Sequence, residues 1–216
     1  IDNDVAATDY TFGFDTAVSV ATDAIDRLHT TAESHNRILI VEVMGRHVGW
    51  IALHSGMAAG AHAILIPEVR TPMSQVAEWV QQVHDRGRSP LVVVAEGFVP
   101  EGHDDPLAEA GVEASGRPRL GGIGEWVTRE IEAMTGVETR NTVLGHIQRG
   151  GTPTAYDRVL ATRYGVHAAR AIHEGKSGMC VALHGEDIDL VPLEDAVGTL
   201  KTVPESRYRN AQALFG

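Results

Sequence analysis

This sequence predicts an α/β protein with a doubly wound, mostly parallel sheet, on the strength of three observations. Short apolar, β-branched runs alternate with stretches of helical periodicity from residue 14 to residue 183. The runs are continuously apolar, so both faces of each strand are expected to be covered, as in a parallel sheet between helices. Two of them, at 38–43 and 142–144, lead directly into turns rich in glycine, arginine and histidine. In open α/β sheets that carboxyl edge is where ligands bind.

Taken in order, Ala17, Val20, Ala21, Ala24, Ile25 and Leu28 recur at helical spacing within 14–33, with Asp15 and Thr16 placed as caps. Residues 38–43 are too short and too β-branched for a helix and predict a buried strand, followed by a helix over 48–59. The cycle repeats with a strand at 63–66, a helix whose apolar face is Val76, Trp79, Val80 and Val83, and a strand at 91–95. Residues 97–122 then lose all period and are rich in Gly, Pro, Asp and Glu, which predicts a long functional or mobile loop. Helix resumes at Ile123, Trp126, Val127 and Ile131. A strand at 142–144, a helix over 154–174 and a strand at 179–183 complete the alternation, with a short polar tail after Pro192. Strands separated by helices imply right-handed crossovers.

A length of 216 residues with 43% hydrophobic and 22% charged residues fits a globular chain with one sizeable core or two small ones. The net charge of -11 argues against nonspecific binding to nucleic acid or acidic membranes, which needs a basic face, so any anion site must be local. Among 18 basic residues only Lys176 and Lys201 are lysine; the remainder are planar arginine forks suited to phosphates and carboxylates. The one cysteine, Cys180, excludes an internal disulfide framework and a cysteine-based zinc site. No apolar run approaches the ~20 residues of a membrane helix and no signal peptide opens the sequence, so a soluble, cytoplasmic protein is expected. The chain opens at Ile1 on an acidic turn without a methionine, and is expected to be the carboxyl-terminal part of something longer.

Three turns carry the chemistry. Ile1-Asp2-Asn3-Asp4 sets two carboxylates two residues apart, suited to a general base and a cation-organising group, or else to an exposed acidic terminus or helix cap. Met44-Gly45-Arg46-His47 leaves a strand; Gly45 lets backbone approach a ligand, Arg46 offers up to five donors to an anion, and His47 is either an acid-base group or structural. Gly145-His146-Ile147-Gln148-Arg149-Gly150-Gly151 precedes a helix amino-terminus, which favours anions. Arg37 and Arg140 lie at the amino ends of strands, and within one subunit should point away from the ligand edge. None of the 11 histidines falls in a zinc-binding spacing, and there is no P-loop or Gly-x-Gly-x-x-Gly fingerprint.

Together, Ile1-Asp2-Asn3-Asp4 with Thr8 through Ala17, Val43 through His47, Gly145 through Pro153, and Asp157-Arg158-Val159-Leu160-Ala161 resemble the 6-phosphofructokinases over nearly the whole chain, in the family's order and approximate spacing. The loop after Gly97 is longer than in the compact bacterial forms. The resemblance implies a Rossmann-like sugar-phosphate domain over 14–147 with 199–216, and part of a second α/β domain, on the nucleotide side, over 1–13 with 148–198. It implies phosphoryl transfer to the 1-hydroxyl of fructose 6-phosphate, an early committed step of glycolysis. Asp2 matches the catalytic base, Asp4 an assisting carboxylate, and Arg46 a residue beside the transferred group. Met44, Gly45, Glu96, Arg149 and His146 match the surroundings of the sugar phosphate. Arg37 and Arg140 match arginines that reach the 6-phosphate from a neighbouring subunit, so a homo-oligomer, dimer or tetramer, with shared active sites is expected.

ATP is the donor expected from family frequency and pyrophosphate the alternative, with Mg2+ bridging the donor's phosphates. The family's glycine-rich phosphate loop, its magnesium-binding aspartate and its donor-selecting residues precede the position of Ile1, so this stretch alone is expected to lack activity. His62 stands where many allosteric bacterial members have an effector-site glutamate, and Arg86-Gly87-Arg88 only partly matches their basic effector run. Two other readings compete: a noncatalytic, sugar-phosphate-binding regulatory half, against which Asp2 and Arg46 are both present, and an unrelated isomerase or dehydrogenase on the same architecture.

Overall fold

The computed structural model describes residues 1–106, 108–112 and 118–216, with side chains for 1–106 and 120–216. Four strands form a parallel sheet in the order β2 (Ala63–Leu65), β3 (Leu91–Ala95), β1 (Ile38–Val43) and β6 (Thr139–Val143). Every residue of β1, β2 and β3 is buried, as expected for strands covered on both faces. Successive side chains of β1 therefore feed two different cores. Leu39, Val41 and Val43 pack with Phe14, Ala21, Ile25 and Leu53, whereas Ile38 and Ile40 pack with Val76, Val80, Val127 and Ile131.

The first core belongs to α1 (Phe14–His35), α2 (Trp50–Ala58) and α7 (Glu205–Gln212), the second to α3 (Met73–Asp85) and α4 (Ile123–Thr135). A five-residue 3-10 turn (Gly145–Arg149) leads from β6 into α5 (Ala155–His173). Then β7 (Met179–His184) and β8 (Asp187–Pro192) form an antiparallel hairpin, followed by α6 (Leu193–Val197). Leu160, Tyr164 and Leu183 make a small third core there, with Tyr10 and Ile188 against it. No helix among the described residues is long and apolar enough to cross a membrane.

The structure corrects the sequence reading in several places. The strand at 179–183 does not extend the parallel sheet: His184 pairs with Asp187 across Gly185 and Glu186, a two-residue hairpin turn in which Gly185 takes a φ of 61°. Residues after Pro192 are no polar tail, because Tyr208 and Ala211 of α7 are buried and the Tyr208 hydroxyl donates to the Ile64 carbonyl at 2.9 Å. Within 97–122, β4 (Ala108–Val112) and β5 (Pro118–Leu120) form a short antiparallel pair; residues 107 and 113–117 of the expected loop lie outside the described residues. β6 begins at Thr139 rather than 142, which makes Arg140 its second residue.

Candidate active site

At the carboxyl edge of the sheet, three chain segments are stitched together by backbone. Glu96 N–H donates to the Val43 carbonyl at 2.9 Å and Gly97 N–H to the Gly45 carbonyl at 3.0 Å, fastening the residues after β3 to the turn after β1. Gly45 adopts a φ of 144°, a conformation side chains resist. On the other side Leu144 N–H donates to the Glu42 carbonyl at 3.0 Å. The buried Gln148 side chain completes the link: its Oε1 accepts Met44 N–H at 3.2 Å and its Nε2 donates to the Gly145 carbonyl at 3.0 Å. Met44-Gly45-Arg46 and the turn bearing His146 and Arg149 are thus one unit.

The acidic turn is brought to this edge by residues that surround it. Asn3 is buried at a φ of 55°, a left-handed conformation that asparagine tolerates better than most residues, and its Oδ1 accepts Thr11 N–H at 3.1 Å. Thr8 is buried too; its hydroxyl accepts Leu183 N–H at 2.9 Å and lies 2.7 Å from the Tyr164 hydroxyl. A third tie is Asp157, whose carboxylate accepts Gly13 N–H at 2.8 Å and Thr16 N–H at 2.7 Å, and also the Thr16 hydroxyl. Asp157 therefore caps α1 from α5, where Gly13 itself offers no side chain.

Electrostatics join Asp2, Arg46, Glu96 and Arg149. Burial raises the Asp2 carboxyl above the usual carboxylate range, Asp4 adds to the rise, and Arg149 and His47 oppose it. One Asp2 oxygen is buried without a hydrogen-bond partner among the described residues. Burial likewise raises Glu96, with Asp2 as a second raising charge, while the Gly45 N–H, Arg46 and Arg149 favour its ionised form. Two raised carboxyls facing two guanidinium groups form the kind of cluster that marks reactive sites.

Of the residues singled out in the sequence, Asp2, Asp4, Gly45, Arg46, Glu96 and Arg149 fall within this cluster, and Met44, beside Gly45 in the chain, is buried in the first core. His146 is exposed on the same turn as Arg149. Arg149 also borders a cleft of about 320 Å³ with Ile1, Phe12 and Gly151. Arg37 and Arg140 are elsewhere, at the amino ends of β1 and β6, where both bind Glu138; the Arg37 Nε to Glu138 Oε2 distance is 2.8 Å. Arg140 lines a larger cleft of about 570 Å³ with Arg129, Glu132 and Asn141, at the end of β6 opposite Arg149.

Sequence reasoning assigned no role to Gln148, Asp157 or Lys201. Gln148 and Asp157 lay inside recognised motifs, but nothing in the spacing distinguishes a buried clamp from a ligand-facing group. For Lys201 the available signal was its rarity, one of two lysines against a background of arginine.

The phosphofructokinase family model matches residues 1–172. The chain belongs to this family. A pyrophosphate–fructose 6-phosphate 1-phosphotransferase of Amycolatopsis mediterranei is 59% identical over 216 residues, 100% of this chain and 63% of that protein. An ATP-dependent 6-phosphofructokinase of Corynebacterium efficiens is 58% identical, again over 100% of this chain and 63% of that protein. Among solved structures, phosphofructokinase from Saccharomyces cerevisiae matches with a TM-score of 0.77 and 34% identity over 99% of this chain and 26% of its own. A pyrophosphate-dependent phosphofructokinase from Marinobacter aquaeolei matches with a TM-score of 0.76 and 26% identity, over 94% and 52%. The chain thus spans a little under two thirds of the length of these curated phosphofructokinase relatives, and matches them from end to end of its own sequence.

Proposed function

We propose that this chain supplies the fructose 6-phosphate side and the general base of a 6-phosphofructokinase, which makes fructose 1,6-bisphosphate in the cytoplasm. What carries this reading is the Asp2 carboxyl, raised by burial, with one oxygen that has no hydrogen-bond partner among the described residues and with Asp4 and Arg149 as charged neighbours. A carboxylate whose proton affinity is raised this way is a better base toward a hydroxyl than an exposed one. In the reaction, Asp2 takes the proton of the sugar 1-hydroxyl as its oxygen bonds to the transferred phosphorus. The bond to the donor's leaving oxygen breaks, and the donor departs as ADP or, from pyrophosphate, as phosphate. Arg46 faces the charge that accumulates on the phosphoryl oxygens.

Glu96, Arg149, Met44 and Gly45 hold the sugar phosphate, with His146 beside its 6-phosphate. Arg37 and Arg140, oriented by Glu138 at the far edge, serve the site of a neighbouring subunit in a homo-oligomer. The division into a sugar-phosphate domain over 14–147 with 199–216 and a second unit over 1–13 with 148–198 accords with the separate small core around Leu160, Tyr164 and Leu183. Mg2+ would supply charge neutralisation at the donor phosphates. Among the described residues no group of three acidic, histidine or cysteine side chains is placed to hold a metal by itself.

ATP is the donor in the first reading. Pyrophosphate is the second; relatives named for that donor at 57% to 59% identity stand beside a relative named for ATP at 58%. Assaying the full-length protein on fructose 6-phosphate with each donor separates them. A folded protein inactive with both would defeat the kinase reading, and calorimetry with fructose 6-phosphate would then tell a sugar-phosphate sensor from neither.

A further inference from the structure

Beyond the residues that face substrate, one side chain organises the acidic turn from behind. The Lys201 ammonium donates to the Thr8 carbonyl at 2.9 Å, to the Asp9 carbonyl, and to Asn3 Oδ1 at 3.4 Å. Asn3 is the left-handed residue between Asp2 and Asp4. The backbone of Lys201 is engaged as well: its N–H donates to the Asp4 carbonyl at 2.9 Å, and its carbonyl accepts the Trp50 indole N–H at 2.8 Å. Leu200 bridges to Val5, and Val203 N–H donates to Glu68 at 2.9 Å. Both rings that border the cation, Trp50 at 5.4 Å and Tyr10 at 5.7 Å, favour a positive charge between them.

We propose that Lys201 is the positioning residue of the phosphoryl-transfer site, its ammonium fixing the turn of residues 2–4 against the turns that carry Arg46 and Arg149. The proposal rests on Asp2 being the base in the function proposed above. Lysine has a specific use here. In a chain that otherwise carries its positive charge almost wholly as arginine, three oxygens converge on one compact cation, and the three donors of an ammonium match them. A planar guanidinium spreads its donors over a fork and cannot serve three acceptors around a point. Through Trp50 the segment around Lys201 is anchored to α2, so Lys201 connects the base-bearing turn to the body that holds the sugar-phosphate residues.

The test uses the full-length protein with Lys201→Met and Lys201→Arg. In both, kcat for phosphoryl transfer to fructose 6-phosphate is expected to fall by roughly tenfold or more, since small misplacements of a reacting group are costly, while KM for the sugar stays within about twofold. Amide hydrogen exchange provides a readout independent of turnover. The Thr11 amide, which donates to Asn3 Oδ1, is expected to exchange about tenfold faster, with the strand amides of β1 and β3 unchanged. Unchanged exchange at Thr11 in Lys201→Met overturns the proposal, as does full kcat in either variant despite faster exchange. Should Lys201→Met fail to fold, Lys201→Arg decides alone. A wild type inactive with ATP and with pyrophosphate would overturn the kinase function and, with it, the catalytic purpose of Lys201; the exchange measurement would still show separately whether Lys201 holds the turn.

Discussion

The Cα of Gly97 lies so close to the carbonyl of Arg46 that a methyl group added to Gly97 would sit 1.9 Å from that oxygen. The contact is backbone against backbone, so no side-chain rotation relieves it. Gly97 N–H simultaneously donates to the Gly45 carbonyl, which fixes how far the residue after Glu96 stands from the arginine turn. Gly97→Ala must therefore push the two turns apart. It is expected to cost about 1–3 kcal/mol in urea unfolding, as overpacked sites do, and to raise KM for fructose 6-phosphate. An unchanged unfolding midpoint together with an unchanged KM would contradict this account of the edge.

Asp2→Asn keeps the shape of the side chain and removes its basicity. In the full-length protein kcat is expected to drop by about 10²- to 10⁴-fold, with KM for the sugar little changed. The pH dependence follows from the direction of the Asp2 shift. Burial raises its folded value, so the wild-type kcat should fall on acidification at a pH above the ordinary carboxylate range, and the ionised, active form should persist above that. In Asp2→Asn this acid limb should vanish from the residual activity. Its survival would assign the limb to another group.

Much of this was legible in the sequence, and the parts that were not share a cause. The strand at Ile38–Val43 and the amphipathic α1 are set by local periodicity, and they fell where the pattern put them. The strand β7 is likewise legible, but its hairpin partner β8 and the helices after Pro192 are not, because their stability is tertiary: alternating runs such as Asp187-Ile188-Asp189-Leu190 look polar until Leu183 and Leu160 cover one face. The same holds at the site. The turns of Asp2, Arg46 and Arg149 announce themselves by residue type beside glycine. The clamps that bring them together, Gln148 across 104 residues, Asp157 across 144 and Lys201 across 198, are long-range polar contacts with no periodic signature.

Asp157 is expected to be worth more than an ordinary cap. Its carboxylate satisfies Gly13 N–H, Thr16 N–H and the Thr16 hydroxyl, and the residue is 4% exposed. Asp157→Ala orphans these donors at the start of α1 and should lower the unfolding free energy by about 2–3 kcal/mol. Asp157→Asn retains one acceptor oxygen and should lose less. Equal losses in the two variants would mean that packing, not hydrogen bonding, dominates there.

Gln148→Met conserves volume while deleting both polar atoms, leaving Met44 N–H and the Gly145 carbonyl without their buried partner. A stability loss of about 1–3 kcal/mol is expected, along with weaker binding of fructose 6-phosphate by calorimetry, because the Arg46 and Arg149 turns are no longer coupled. Loss of stability with binding intact would confine Gln148 to the fold.

The stability of the protein should fall on mild acidification through His62. This side chain is 7% exposed and its Nδ1 accepts Leu91 N–H at 3.0 Å, a bond that needs the neutral ring. Burial first, then the charges of Arg88, His29 and Arg86, depress its pKa from 6.5 to about 4. Above pH 6.5 neither the folded nor the unfolded chain carries this proton, and the contribution of His62 is fully present. As the pH falls from 6.5 toward 4 the unfolded chain takes up a proton that the folded one refuses, so stability declines; below 4 both are protonated and the decline ends. Allowing for solvent screening, the loss at pH 5 relative to pH 7.5 should be about 1–2 kcal/mol. The comparison that isolates it is His62→Asn, whose Oδ1 remains available to Leu91 N–H but does not titrate. The gap between wild type and variant in urea unfolding should change across this window by about that amount. A constant gap from pH 7.5 to pH 5 would mean that His62 accepts the proton in the folded state, and that the Leu91 contact does not hold the ring neutral.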